Sequence, residues 1–332
     1  MNRRTLIKTG VLAGISTFLP SGNLFATTFN KDLKDDENDL SGFKKLKLGE
    51  LDFYVLSDGF IRDKNIDNYC PRADVSELKR LLKDNFRSDE YIDMAINILL
   101  VKKEDRHILF DAGLGVFADE TSGFLMKSLA KTGFKPDQIT DIFISHAHPD
   151  HIGGLLDKNG TFVFKNAKYH LSKTEFDFWM KASVDDFKNS GLVKKLDMVK
   201  GLIPKVRTIF KTIQPKSQFY DFTKPLYENF SFIAAPGHTP GMTLTKIKSG
   251  NEELLFVADL IHSDVLLFPH PEWGYFGDTD LDIAIASRKK ILEELALSKT
   301  KAIGYHLPWL GFGYVKMSGN TFEWIQEPSF TP

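Results

Sequence analysis

From Phe43 onward, apolar and polar residues fall into short runs bounded by glycine or by charged turns, the pattern of strands in a mixed fold. LDFYVLSDGF, AINILLVKK and RHILFDAGLG read as strands; the charged turn KKEDR joins the last two, and the third closes on Asp111-Ala112-Gly113. FLMKSLAKTGF reads as a helix before the apolar strand ITDIFI, Ile139 to Ile144. Between about Ser172 and Phe222 the period lengthens, and SKTEFDFWMKA and LVKKLDMVKGLIPKVRTIF place apolar residues at helical spacing. FSFIAAPG, MTLTKI and ELLFVADLI then read as strands, DIAIASRKKILEELA as a helix and KAIGYHL as strand-like. No repeat, low-complexity block or second-domain boundary follows Gly42, so 43–332 reads as one α/β domain.

The first residues differ in kind. The segment opens with Arg3, Arg4 and Lys8 and then carries no charge from Thr9 to Asn30, while Gly10, Gly14, Pro20 and Gly22 make it a poor membrane-spanning helix. A basic start, an apolar middle and small residues near Ala26 describe an export signal over 1–26, and the paired arginines resemble a twin-arginine leader; an uncleaved anchor is the alternative. Residues 27–42 read as a polar linker. The expected location is the periplasm or the exterior, with no stable membrane insertion once the leader is removed.

Composition narrows the classes. With 42% hydrophobic and 26% charged residues, the 332-residue chain is ordinary for a globular protein, and a formal net charge of −1 gives no global field favouring nucleic acid. The single cysteine, Cys70, stands in no metal-ligand spacing and reads as a small buried side chain.

The stretch SHAHPDHIGG changes the picture. It sets His146, His148, Asp150 and His151 at the end of the strand ITDIFI, where a strand delivers side chains to one point. Imidazole and carboxylate are the donors that borderline divalent cations take, and the two following glycines allow a tight turn beneath an ion. Three further segments place a donor at or just after a strand: APGHTPGM with His238, LFVADL with Asp259 and AIGYHLPW with His306. Together these are five histidines and two aspartates, enough for two adjacent cations that share a carboxylate.

In this order the elements resemble the metallo-β-lactamase superfamily: HxHxDH at 146 to 151, GH at 237 to 238, the lone Asp259 and the last His306. The resemblance implies an αββα sandwich with two divalent metals at one edge, zinc being expected and Mn2+, Co2+ or Fe2+ the alternatives. His146, His148 and His238 would hold one metal and Asp150, His151 and His306 the other, Asp259 bridging them. Asp111 would be an acceptor that orients a ligand imidazole. The implied chemistry is hydrolysis by a hydroxide held between the metals.

Within the superfamily, true zinc β-lactamases generally carry Cys where Asp259 stands, and flavodiiron proteins usually carry Glu at the position of His148. The glyoxalase II extension is missing, and no basic surface for RNA is evident. Two branches fit better, quorum-quenching N-acyl-homoserine lactonases and methyl parathion hydrolase-like enzymes, the latter through FPHPEWGYFGDTDLDIAIASRKKIL and HLPWLGFGYV. The expectation is therefore a lactonase, with an arylester or organophosphate triester hydrolase as the alternative and a noncatalytic metal-binding protein as a second one. The partner is a small lactone or ester; the resemblance leaves room for a homodimer.

Asp150, Asp259 and His262 are the candidate catalytic residues. His262 stands where many lactonases of this kind carry a tyrosine, and reads either as a proton donor to the leaving alkoxide or as a support for a metal ligand. Phe117, Trp179, Met180, Trp273, Phe276, Trp309 and Phe312 are the candidate lining of an acyl pocket. His107 and His170 read as structural strand residues, and His270 is unassigned.

Overall fold

A strand that is apolar on both faces must be covered on both, and the chain builds two sheets that cover each other. The computed structural model describes residues 39–328, so the expected export signal over 1–26 and all but the end of the 27–42 linker lie outside the described residues. The first sheet runs in order β1 (Phe43–Leu48), β2 (Leu51–Asp63), β3 (Ile92–Lys103), β4 (Arg106–Phe110), β5 (Asp141–Phe143), β6 (Lys168–Leu171) and β7 (Ser217–Phe219). It is antiparallel from β1 to β4 and parallel from β4 to β7. The second sheet consists of β8 (Phe230–Ala234), β9 (Thr243–Ser249), β10 (Glu252–Phe256), β11 (Lys301–Ile303), β12 (Phe312–Ser318) and β13 (Thr321–Gln326), in the order β13-β12-β11-β10-β9-β8. Only β10 and β11 pair in parallel there.

Aromatic rings fill the space between the sheets. Phe110 on β4 meets Phe256 on β10 at 5.3 Å, and Phe143 on β5 meets Phe230 and Phe232 on β8 at 5.3 and 5.5 Å. The helices are α1 (Val75–Asp84), α2 (Leu125–Lys131), α3 (Pro149–Ile152), α4 (Lys173–Lys181), α5 (Leu196–Ile213) and α6 (Leu281–Ser298). Against the outside of the sandwich, α2 packs on β2 and α6 on β12, the αββα arrangement expected. Asp74, Ser172 and Asp280 cap α1, α4 and α6 by accepting from backbone N–H groups of their first turns. Among the described residues no helix is long and apolar enough to cross a membrane.

Four elements differ from the sequence reading; the strand-like KAIGYHL pairs only over Lys301–Ile303 before the chain leaves the sheet for His306. The strand expected over Ile139 to Ile144 pairs only over Asp141–Phe143, because the chain leaves the sheet to form the histidine turn. LVKKLDMVKGLIPKVRTIF divides into a 3-10 turn at Gly191–Lys195 and α5. ADL at 258–260 is a 3-10 turn rather than the end of a strand, with Ala258 at φ +44°.

Candidate metal centre

Five strands end toward one place. After β4 comes Asp111, after β5 the turn with His146, His148, Asp150 and His151, and after β8, β10 and β11 come His238, Asp259 and His306. All are buried. Their donor atoms form two groups, His146, His148, His238 and Asp259 in one and Asp150, His151, Asp259 and His306 in the other, each within 4.8 Å.

The local fold serves this convergence. Pro149 starts α3 directly after His148, so Asp150 and His151 lie on its single turn. Neither Gly153 nor Gly154 needs a left-handed backbone; each is small because the 112–114 loop passes against it. A Cβ on Gly153 would lie 1.9 Å from the Leu114 carbonyl oxygen, and one on Gly154 2.0 Å from that of Ala112.

Hydrogen bonds behind the cluster decide which ring nitrogens point inward. Asp111 Oδ2 lies 2.8 Å from His151 Nδ1, and Asp111 also accepts from the Ser145 backbone N–H and hydroxyl. Asp278 Oδ1 lies 2.9 Å from His238 Nδ1, while buried Arg288 donates to the other oxygen of Asp278 and to the carbonyl of Leu260. The Ala95 carbonyl takes His306 Nδ1 at 2.9 Å, and Asn97 donates to the Gly304 and Leu307 carbonyls on either side of that histidine. Each contact suits a donor at Nδ1 and turns Nε2 of His151, His238 and His306 toward the centre, where it can serve as a ligand once any proton there is displaced.

This inward face is left partly unsatisfied. His151 Nε2 and Asp259 Oδ1 are buried without a hydrogen-bond partner, although they lie 3.0 Å apart. His238 Nε2 faces His146 Nε2 at 3.2 Å and His148 Nδ1 at 2.9 Å, and Asp259 Oδ2 at 3.3 Å. His306 Nε2 lies 3.1 Å from Asp150 Oδ2 and 3.2 Å from Asp259 Oδ2. A tetrahedral ion with bonds of about 2.0–2.1 Å separates its ligand atoms by about 3.3 Å, so the donor set fits two divalent cations.

Electrostatics agree. Burial pushes the Asp259 carboxyl up, but the imidazoles of His151, His306 and His146 outweigh it and hold the group well below its ordinary range. Burial likewise drives His148 down to about 3, whereas Asp259 and Asp150 overcome burial at His306 and raise it to about 10. The cluster thus keeps its carboxylates ionised and draws protons onto some of its imidazoles, protons that a cation would displace.

In front of the cluster opens a cavity of about 670 Å³. His148, Asp150, His238, Asp259 and His306 contribute its polar part, and Met94, Phe117, Met198, Leu202, Tyr275 and Phe276 its apolar part. Of the expected pocket residues, Phe117 and Phe276 line it. The other five do not. Trp179 is fully buried beside His148 and donates its indole N–H inward to Glu175. Met180, half-buried, packs against the core from α4. Trp273 is buried with its ring stacked on His270 at 4.0 Å, Trp309 is exposed, and Phe312 borders a separate cavity with Phe53 and Leu254. Those rings pack the sandwich or its surface; the wall comes from β3 and α5 instead.

His262, read as either a proton donor or a support for a metal ligand, does not line this cavity. Its Nε2 lies 3.0 Å from Asp259 Oδ2, and its ring stacks at 3.6 Å on Tyr275, which is a lining residue. The short turn through Ala258–Leu260 has carried it behind Asp259, facing a smaller cavity with Arg87, Tyr91 and Asp264. His107 and His170 lie on β4 and β6, His170 bonding Asp141 at 2.8 Å. Cys70 is buried. Sequence alone assigns Asp278, Arg288, Asn97 and Tyr275 no role; the one signal is the segment 268–292, which holds Tyr275, Asp278 and Arg288 and marks a subfamily rather than a role.

Comparison with known proteins places this geometry. The family described as the metallo-beta-lactamase superfamily matches residues 91–306. The chain is 58% identical to AidC, a dizinc quorum-quenching lactonase solved with a product, N-hexanoyl-L-homoserine; the match has a TM-score of 0.87 and covers 88% of this chain and 100% of that one. Hydrolase AbOPH of the beta-lactamase superfamily is similar at 24% identity and a TM-score of 0.79, over 88% of this chain and 99% of the other, a likeness of fold. An N-acyl homoserine lactone hydrolase with N-hexanoyl-L-homoserine at its catalytic metal centre shares the fold at 16% identity and a TM-score of 0.54, over 79% and 94% of the two chains. No curated protein sequence matches.

Proposed function

The chain belongs to the metallo-beta-lactamase superfamily, and from that premise we propose that it is a two-metal hydrolase opening the ring of N-acyl-homoserine lactones, its role being to quench quorum signals. The observation that carries this reading is the 58% identity, over the full length of the relative, to a dizinc lactonase solved with an acyl-homoserine product. Zinc is the proposed metal at both pockets, held by His146, His148 and His238 on one side and by Asp150, His151 and His306 on the other, with Asp259 between them. Bound there, two divalent cations would supply a water acidic enough to attack near neutral pH and Lewis acidity toward an ester carbonyl.

The chain's own residues do the rest. Asp111, Asp278 and the Ala95 carbonyl keep three imidazoles in the tautomer that presents Nε2. Asp150 reaches the cavity and is ionised, so it is placed to take a proton from the attacking water and return it to the alkoxide that ring opening releases. Met94, Phe117, Met198 and Leu202 offer an acyl chain an apolar wall. Export by the leader to the periplasm or beyond completes the reading. Replacing Arg3 and Arg4 by Lys should strand precursor in the cytoplasm, and unchanged export would remove the twin-arginine route.

A substrate panel on the metal-loaded protein tests the activity. Acyl-homoserine lactones should exceed an aryl ester and a phosphotriester in kcat/KM by at least about 100-fold, the size of a well-exploited binding difference. Preference for the phosphotriester or aryl ester would instead favour that branch. Metal uptake without turnover of any substrate would leave a binding protein.

A further inference from the structure

Helix α4 brings a carboxylate into the interior. Glu175, in its first turn, is fully buried, and both oxygens are saturated. Oε1 accepts from the Ala147 backbone N–H at 2.9 Å and from Trp179 Nε1 at 2.7 Å; Oε2 accepts from the Thr239 hydroxyl at 2.7 Å and from the Gly241 N–H at 2.9 Å. An ionised carboxylate has about four lone-pair sites, and here each has a donor.

The donors are unevenly placed. Ala147 is the residue between His146 and His148, while Thr239 and Gly241 follow His238 directly. One carboxylate therefore fastens the two chain segments whose imidazoles confront each other at 2.9 and 3.2 Å. The approach is close at the backbone as well: a Cβ on Gly241 would lie 2.2 Å from the Glu175 backbone nitrogen. The His238 segment is thus held twice, the ring by Asp278 and the residues just after it, Thr239 and Gly241, by Glu175.

We propose that Glu175 is a positioning residue that sets the gap between His146 and His148 on one side and His238 on the other. It governs one of the two metal pockets and not its neighbour. The inference rests on reading the histidine cluster as a metal pocket.

The chemistry of a Gln substitution shows why the effect is one-sided. An amide has one oxygen and one NH2. Ala147 N–H and Trp179 Nε1–H can only donate, so the amide oxygen must face them; the NH2 then faces Thr239, whose hydroxyl can turn to accept, and the Gly241 N–H, which cannot. The strand end holding His146 and His148 keeps its anchor, and the His238 loop loses part of its own. His238 belongs only to the first group.

The test titrates metal-free protein with Zn2+ against a chelating dye. Wild type should take up two equivalents. Glu175→Gln should retain one at wild-type affinity and weaken the other by about 10–100-fold, the usual consequence of losing a supporting hydrogen bond. Thr239→Val removes a single donor at similar volume, should weaken the same equivalent by a smaller factor, and keeps the test informative if Glu175→Gln does not fold. Equal weakening of both equivalents, or unchanged uptake in Thr239→Val and in folded Glu175→Gln, would overturn the proposal. Wild type that takes up no second equivalent would sink the metal-pocket reading and the proposal with it.

Discussion

At His262 and Asp278 the roles follow from what each nitrogen or oxygen touches. With His262 behind Asp259, His262→Ala should lower turnover of a lactone and of an aryl ester by the same factor, about 10–100-fold, because what fails is the setting of a metal ligand. Parallel kcat/KM measurements on the two substrates check this, and a much greater loss on the lactone, whose alkoxide needs a proton, would restore the acid role. Asp278→Asn exchanges the acceptor for His238 Nδ1 and the partner of Arg288 for a group of half the acceptor capacity. It should cost about 10–100-fold in metal affinity, read by chelator competition. The seven inward donors were legible because their residue types and order are unusual for a chain. Asp278 and Glu175 were not, since a buried Asp after a glycine and a Glu in a first helical turn look like their solvated counterparts until the partners 40 and 64 residues away are in place.

Among the elements, β5 shows how a strand of three residues is secured. Its Asp141 is buried and meets His170 from β6 at 2.8 Å, the Tyr227 hydroxyl at 2.7 Å, the Thr140 hydroxyl at 2.8 Å and Arg106 from β4 at 3.3 Å. Burial pushes this carboxyl up, but the hydrogen bonds from His170, Tyr227 and Thr140 outweigh it and bring it down to about 2. A carboxyl depressed by folding stabilises above its unfolded pKa near 4, and that contribution is lost as pH falls through about 2. The shift corresponds to about 2.5 kcal/mol at about 1.4 kcal/mol per pKa unit. Asp141→Asn should therefore be less stable than wild type at pH 7 by about that amount, and the gap should close between pH 4 and pH 2, followed by urea unfolding of metal-free protein; a constant gap would place the effect in packing. Strands and the long helices were visible in periodicity, but element ends were not. The α5 region reads as one helix because apolar spacing continues through a 3-10 turn, and β5 reads long because the residues leaving the sheet are as buried as those within it.

For the molecule as a whole, the centre joins what the two sheets hold separately. His146, His148, Asp150 and His151 follow β5 of the first sheet, whereas His238, Asp259 and His306 follow β8, β10 and β11 of the second, so cations shared across the seven would bind both halves of the sandwich at one end. Without them, His151 Nε2 and Asp259 Oδ1 are buried with no hydrogen-bond partner and the carboxylates lean on protons held by neighbouring imidazoles. Metal that binds the folded chain alone contributes about 2.7 kcal/mol per site at a hundredfold excess over its dissociation constant, hence about 5 kcal/mol for two sites. At about 2–4 °C per kcal/mol for chains approaching this size, chelation should lower Tm by about 10 °C or more. Calorimetry of the metal-loaded and chelator-treated protein measures the difference, and readdition of Zn2+ should restore it. In Asp259→Asn, where the carboxylate common to both pockets is lost, loaded and stripped samples should melt close together. A wild-type Tm indifferent to verified removal of both metals would mean that the interface of aromatic rings alone holds the sheets, and that the centre is carried by the fold without supporting it.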